Sequence, residues 1–373
     1  MSMQEAVGRE KRRSRSAEAR LRDVARAAGV GLATASRALA EGGPVSAETR
    51  RRVRRAAHAL GYRPVRSARV LRGARARVIG VLVPDLAQPV YGAWLRGAGE
   101  AAQARGYVLL VCDGQNSMRV IETLLDRLFE ERVDGLLLAG STPAPDQIRR
   151  FRQGGVPIAP DLSRRRSGEN LRAAEERPAT LAAFRRIVAL GHRRILYLAR
   201  VEREERYLPT LQRLRIECLR TALAEVGATL AKRALLPVAD PAETVRLLAR
   251  RLAGRARPTA IAAGAEALTP AVLEAVAVAG LSLPRDVSLL GFDDSPWEQV
   301  HRPAVAVVRH DVYGLANALT TNLIDRIEGE RSPQPVPRFP AEFLPRASLA
   351  PPPASAPDAA RSAGRREPRL RRG

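Results

Sequence analysis

From Val78 onward the chain keeps returning to short apolar runs separated by longer segments of helical period. Val78-Ile79-Gly80-Val81-Leu82-Val83 is bounded by Pro84-Asp85, and similar runs follow at residues 107–111, 133–138, 194–198, 259–262 and 287–291. Strand-length runs alternating with helices of about 10–15 residues specify βαβ units, because parallel neighbours need a crossover long enough to hold a helix. Helices then cover both faces of each sheet, and ligands meet the sheet at the carboxyl ends of its strands. Two such halves account for most of the 373 residues. The predicted fold class is α/β, a two-subdomain parallel-sheet body preceded by a smaller module with no strand pattern.

That smaller module carries the charge. The chain has 63 Lys plus Arg against 39 Asp plus Glu, a net +24. Residues 1–77 hold 20 basic and 6 acidic side chains, residues 351–373 hold 6 and 2, and the 273 residues between them carry only +6. An Arg-rich composition with two lysines, Lys11 and Lys232, raises charge everywhere but does not concentrate it at one end. A compact basic module on a nearly balanced body is the electrostatic footprint of a nucleic-acid binder. No apolar run reaches the about 18 residues of a membrane span, and Met1–Arg22 lacks the apolar segment of a secretory signal. Cys112 and Cys218 are too few and too far apart for a disulfide framework or a zinc site. These features predict a cytoplasmic, nucleoid-associated protein with no membrane partner, metal or cofactor.

Within the basic end, residues 1–20 read as an arm without periodicity. Leu21, Val24, Ala25 and Ala28 share one helical face, and Gly29 supplies a left-handed stop. A second helix is expected from Leu32 to Leu39 behind Gly31. After Glu41-Gly42-Gly43-Pro44, Ser46 caps a third helix that turns Val53, Ala57 and Leu60 inward, with Arg50, Arg51, Arg52, Arg54 and Arg55 on its remaining surface. Two short helices around a tight glycine turn, plus a third, form a helix-turn-helix module.

Asp23-Val24-Ala25, Ala28-Gly29-Val30, Thr34, Ser36-Arg37, Leu39, Val45-Ser46, Thr49-Arg50 and Leu60-Gly61-Tyr62-Arg63-Pro64 together resemble the headpiece of the lactose-repressor (LacI-type) family. The resemblance implies that the second helix enters the major groove. Leu32, Ala33 and Arg37 match the base readers: Arg37 can fork to guanine O6 and N7, while Leu32 and Ala33 suit a thymine methyl. Thr34 and Ser36 would position the helix on phosphates, or are plain helix surface. In the linker, residues 64–77, Ala68-Arg69-Val70-Leu71-Arg72 resembles the family's hinge helix. There Arg69 would flank the minor groove and Leu71 would wedge into its central step, or would simply dock the linker. Gly31, Ala35 and Ala40 stand where the family usually has Ser, Val and Asn.

The likeness continues through Ile79-Gly80-Val81, Pro84-Asp85, Leu190-Gly191-His192-Arg193-Arg194-Ile195 and Gly291-Phe292-Asp293-Asp294, which look like the family's sugar-binding-protein-like body. It implies an effector cleft holding Asp85, Tyr91, Ser141, Arg215, Asp293 and Trp297, whose carboxylates, guanidinium and aromatic plate suit a polyol. Plainer roles stay open: Asp85 as a helix cap, Tyr91 and Trp297 as rim packing, Ser141 on backbone, Arg215 on a helix surface, and Asp293 as hinge structure. Glu175-Glu176 replaces the family's usual Asp-Asn, placed ahead of the helix that leads to the Leu-Gly-His motif. Ala265-Glu266 replaces its usual Asn-Asp. Either the effector is unusual, or effector control is weakened or lost.

The implied organisation is a basic arm over 1–20, a headpiece over 21–63, a hinge over 64–77, a body over 78–346 and a disordered Pro/Ala/Arg tail over 347–373. The body divides into 78–160 plus 293–324, and 161–292 plus 325–346. The implied function is a transcriptional regulator, a repressor, binding a pseudo-palindromic operator in double-stranded DNA as a homodimer under a sugar-like effector. The alternative is a DNA-binding regulator whose effector response is degenerate or lost. Neither catalytic triad order, phosphate loop nor metal spacing supports an enzyme, and His192 reads as a residue between helix and strand rather than a catalyst.

Overall fold

The computed structural model describes residues 20–39, 44–62, 75–140, 145–160, 171–201, 208–330 and 336–353. The chain forms two compact units, residues 1–76 and 77–373. The expected arm, apart from Arg20, and most of the hinge lie outside the described residues.

The first unit holds α1 (Leu21–Ala27), α2 (Leu32–Leu39) and α3 (Ala47–Ala59). Val24, Ala25, Ala28, Ala35, Ala38, Val53 and Ala57 share one core. Alanine at the crossing points lets these short helices approach closely. Gly29 takes φ +61°, a conformation open to glycine without steric cost, and turns the chain so that the Val30 N–H bonds the Ala25 carbonyl at 3.0 Å. The Ser46 hydroxyl accepts the Thr49 N–H at 3.2 Å and caps α3. Leu60 corrects the sequence reading. It is 41% exposed at the C-cap, because the helix ends at Ala59 and the turn at Gly61 brings Tyr62 over the core instead.

The second unit alternates strand and helix. Its elements run β1 (Val78–Val83), α4 (Val90–Ala104), β2 (Val108–Asp113), α5 (Met118–Glu130), β3 (Gly135–Leu138), α6 (Pro145–Gln153), β4 (Ile158–Ala159), α7 (Leu171–Ala189), β5 (Ile195–Arg200) and α8 (Thr210–Ala224). They continue with β6 (Leu235–Val238), α9 (Pro241–Ala253), β7 (Ala260–Ala263), α10 (Thr269–Val278), β8 (Ser288–Phe292), α11 (Pro296–Val300), β9 (Ala306–Arg309), α12 (Val312–Glu328) and β10 (Glu342–Leu344). One parallel sheet has the order β2-β1-β3-β4; the other is β10-β9-β8-β7-β5-β6, parallel but for the antiparallel edge β10. Each order reverses at a switch point, between β1 and β3 and between β5 and β7, where open α/β sheets gather ligand-binding loops.

Two boundaries differ from the sequence reading. The chain was expected to re-enter the first half at residue 293, yet β9 lies in the second sheet, with Leu290 opposite Ala306 and Phe292 opposite Val308. The crossing falls after Arg309, and α12, which reaches Glu328, is the segment that covers the first sheet with α4. The cause is the buried run Val305–Val308, which completes the second sheet. Residues 347–353, expected in the tail, are part of the body instead. Ser348 is fully buried, donates to the Leu289 carbonyl at 2.7 Å and accepts the Ala306 N–H at 2.8 Å. Ala350 is held by His192, whose Nε2 lies 2.8 Å from the Ala350 carbonyl oxygen. No helix among the described residues is long and apolar enough to cross a membrane.

Candidate functional site

In the first unit the sequence pattern of α2 separates two faces. Ala35 and Ala38 are buried, whereas Leu32, Ala33 and Arg37 are exposed, Leu32 at 55%. Thr34 and Ser36 flank this face half-buried. Arg37 Nε donates to the Ala33 carbonyl at 3.2 Å, which lays the guanidinium along the helix. The five predicted α2 residues are thus on one short helix, three of them fully outward. Arg69 and Leu71 lie outside the described residues.

In the second unit a cavity of about 530 Å³ opens between the start of α4, the loop after β8 and the β9–α12 connection. Its charged wall consists of Glu266, Asp293, Asp294, Asp311, Arg309 and His310. Of the five predicted effector residues that are described, Asp293 alone lines it. Asp293 sits at the end of β8 with φ +66°, a conformation Asp tolerates better than most residues, and its N–H bonds the Val308 carbonyl at 2.8 Å. Left-handed non-glycine backbone at a strand end is a feature that the surroundings must hold in place.

The other predicted residues that are described lie outside its wall. Asp85, at the end of β1, is buried and paired with Arg200 at the end of β5, an ion pair joining the two sheets' switch regions. Asp85 also accepts the Ala87 N–H at 3.1 Å in a local turn, but it does not cap α4, whose N-cap is Pro89 without a side-chain cap bond. Tyr91 is half-buried on α4 against the first core, with its hydroxyl beside Gly140. Trp297, on α11, is half-buried and outside this cavity's wall. Ser141 lies outside the described residues.

Arg215 is the largest fully buried side chain. Nε and one terminal nitrogen donate to the two Glu176 oxygens at 2.5 and 2.8 Å, while the other terminal nitrogen donates to the Gly264 carbonyl at 2.7 Å. Its guanidinium carbon lies 3.8 Å from the Phe292 ring centroid. Burial opposes the charge, but Glu176 beside it outweighs burial and holds the pKa above the ordinary arginine value. Glu175 and Glu176 lie within α7, not ahead of it as expected, because the helix starts at Leu171 and runs through Pro178. Gly264 must be glycine here: a Cβ would lie 2.6 Å from both Tyr197 Oη and Gln212 Oε1.

Glu266 fills a second subsite. It is buried, accepts the N–H of Val90 at the first residue of α4 at 2.7 Å, and accepts the Ser295 hydroxyl. A carboxylate at a helix N-terminus gains from both the open N–H and the macrodipole. Asn116 adds a further bond between the halves, donating to the Val201 carbonyl at 3.1 Å. Beneath this cluster Glu298 is fully buried, with Oε2 accepting the Ser295 N–H at 2.9 Å and Oε1 without a hydrogen-bond partner. Burial, with Glu266, Asp294 and Asp293 nearby, pushes its pKa up to about 8.

Sequence reasoning missed Arg200, Asn116, Ser295 and Glu298. The strand-end rule that selected Asp85 and Asp293 would have found Arg200, the last residue of β5. A local signal does mark Glu298, the Ser295-x-x-Glu298 capping box that opens α11, but its burial comes from residues distant in the chain.

Comparison with known proteins places both units. Residues 20–65 match the family described as bacterial regulatory proteins, lacI family, and residues 184–349 match the periplasmic binding protein-like domain. The HTH-type transcriptional regulator reg1 of Streptomyces lividans is 30% identical over 343 residues, covering 89% of this chain and 96% of reg1. The repressor CytR of Escherichia coli is 28% identical, covering 84% and 91%. Among solved structures, the Lac repressor dimer bound to operator and the anti-inducer ONPF aligns with TM-score 0.66 at 21% identity, over 89% of this chain and 99% of that one. A CelR–cellobiose complex aligns with TM-score 0.60 at 24% identity, over 89% and 100%. At these identities the two structures establish the fold.

Proposed function

The chain belongs to the LacI family of bacterial transcriptional regulators, and from that premise we propose that it is a cytoplasmic repressor that binds a two-fold pseudo-palindromic operator as a homodimer. The observation that carries this reading is the outward face of α2, where Leu32, Ala33 and Arg37 stand clear of the core. Arg37 would take a guanine edge, Leu32 and Ala33 a thymine methyl, and Thr34 and Ser36 the phosphates. In the linker, Arg69 and Leu71 would enter the minor groove at the centre of the site. Large apolar side chains left exposed on the edge strand β2 (Val108, Leu110, Val111), on α10 (Val278) and on α11 (Val300) support self-association. Operator binding by a dimer, named for the Lac repressor structure, fits this surface.

Selection of duplexes from a randomised pool tests the reading. The enriched site should be two-fold symmetric, with half-sites about one helical turn apart, about 34–36 Å, as a symmetric dimer requires. Enrichment of direct repeats, or of nothing, would count against it.

The body would couple that DNA contact to a small molecule in the cavity walled by Asp293, with Asp85, Tyr91, Ser141, Arg215 and Trp297 as the further contacts that the family resemblance implies. Cellobiose and ribose, named for two structures of this fold, point to a sugar-like effector. A second reading is favoured by Glu176 on Arg215 within the second half and by Glu266 on Val90 across the halves: the chain's own carboxylates occupy these groups, and the cleft needs no effector. A thermal-shift panel of pentoses, hexoses, disaccharides, sugar acids, sugar phosphates, nucleosides and purines separates the two. A ligand at about 100 times its Kd stabilises by about 2.7 kcal/mol. A shift that disappears in Asp293→Ala is the expected result; a flat panel would favour the self-held cleft.

A further inference from the structure

We infer that the outward face of α3 is a second phosphate-binding surface, which holds a DNA duplex other than the one read by α2. This inference rests on the DNA-binding reading of the headpiece and extends it to a different face.

Of the 13 residues of α3, five are arginine and one, Glu48, is acidic. Val53 and Ala57 fix the buried side, and Arg51, Arg52, Arg54 and Arg55 are all exposed around the opposite arc. Arg51 and Arg55 stand one turn apart, about 6 Å along the axis, and Arg54 lies one turn beyond Arg50. Several exposed arginines of the body are matched: Arg127 meets Glu130, Arg177 meets Glu217, and Arg185 meets Glu225. Arg51, Arg52, Arg54 and Arg55 form no ion pair among the described residues. An Arg-rich composition explains the number of arginines in the chain; it does not explain four adjacent ones left without carboxylates on one helix.

The direction of the face decides the partner. The three headpiece helices surround a single core, so their outward faces diverge. A duplex whose major groove receives Leu32, Ala33 and Arg37 lies against α2, and the arginine arc of α3 points elsewhere. Planar guanidinium forks suit phosphate oxygens, and apart from the exposed His58 imidazole the α3 helix presents no Phe, Tyr, Trp or large apolar side chain for a protein or a single strand to stack on. A double helix, read through its backbone without regard to sequence, is the ligand that this chemistry fits.

The test uses the full chain. A duplex enriched from the randomised pool is immobilised and saturated with protein, which occupies both headpieces, and a labelled duplex of scrambled sequence is added. Wild type should retain the labelled duplex. The variant Arg51→Ala/Arg52→Ala/Arg54→Ala/Arg55→Ala should lose that retention while its Kd for the enriched duplex stays within about twofold, and the four-lysine variant should keep part of it. Alanine is the best helix former, so the variant helix is not weakened by propensity, and far-UV circular dichroism verifies it. No retention by wild type, or equal retention by the alanine variant, overturns the proposal. So does a parallel loss of enriched-duplex binding, which would place these arginines on the operator itself. If the pool yields no enriched duplex, the α2 reading fails separately. The arginine face is then tested by the salt dependence of scrambled-duplex binding, whose log–log slope should fall by about 0.9 for each phosphate contact removed. An unchanged slope overturns it.

Discussion

Arg37→Ala is expected to erase the difference in affinity between an enriched operator and a scrambled duplex. A bidentate guanidinium–guanine contact is worth about 1–3 kcal/mol of discrimination. A symmetric dimer makes it twice, so about 2–6 kcal/mol is at stake, roughly 30-fold to more than ten-thousand-fold in the specificity ratio. Affinity for the scrambled duplex should change little, because that binding comes from phosphate neutralisation by the many other arginines of the headpiece. Arg37→Lys should recover charge without recovering the ratio, since an ammonium cannot reproduce the fork. The exposed setting of Arg37 makes this a clean test: the side chain leaves the core of Val24, Ala35 and Val53 untouched, so folding should be preserved. Competition titrations of the two duplexes at one salt concentration provide the ratio. A ratio equal to wild type would remove Arg37 from the base-reading set and leave α2 without a polar reader.

The parts of this molecule that were legible in its sequence are those fixed by local rules. Gly29, Ser46 and the spacing of Val24, Ala35 and Val53 define the headpiece because turn, cap and helical period act within a few residues. β1 is readable as Val78–Val83 because a strand buried on both faces is an uninterrupted apolar run. β9 and β10 escaped notice because Ala306–Arg309 is only four residues long and the chain reaches it after leaving the second sheet through α11. What assigns β9 is pairing with β8, a contact that no local pattern announces. The same limit applies to the cleft. Glu176 and Glu266 could be recognised as departures from the family pattern, but what they do depends on partners 39 and 176 residues away in the chain. Their sequence positions suggested lost ligand contacts. Their geometry shows carboxylates that make the contacts themselves.

That geometry predicts the largest stability effect in the body. Glu176→Ala should destabilise the protein by about 3–5 kcal/mol, the usual cost of leaving one partner of a buried ion pair uncompensated. For a unit of this size about 1 kcal/mol moves the melting temperature by about 2–4 °C, so a fall of roughly 6–20 °C is expected in a thermal melt. The cost arises because Arg215 keeps a charge that burial opposes and that Glu176 chiefly offsets. Replacing both partners, as in Glu176→Leu with Arg215→Met, should restore most of the loss, since matched apolar groups carry no desolvation penalty. A double-mutant cycle over these variants isolates the pair from their separate packing terms. The same cavity provides a chemical test of the self-held cleft. In Glu176→Ala two guanidinium donors face a space the size of a carboxylate, so formate or acetate should raise the melting temperature of the variant and not that of wild type. If the alanine variant melted within a degree or two of wild type, the Arg215–Glu176 pair would not be stabilising the second half. If both small carboxylates left the variant unmoved while the double replacement still rescued it, the pair would be structural cement with no capacity to accept a ligand. Rescue by carboxylate alone would mean that the chain supplies in Glu176 the anion that Arg215 is built to bind.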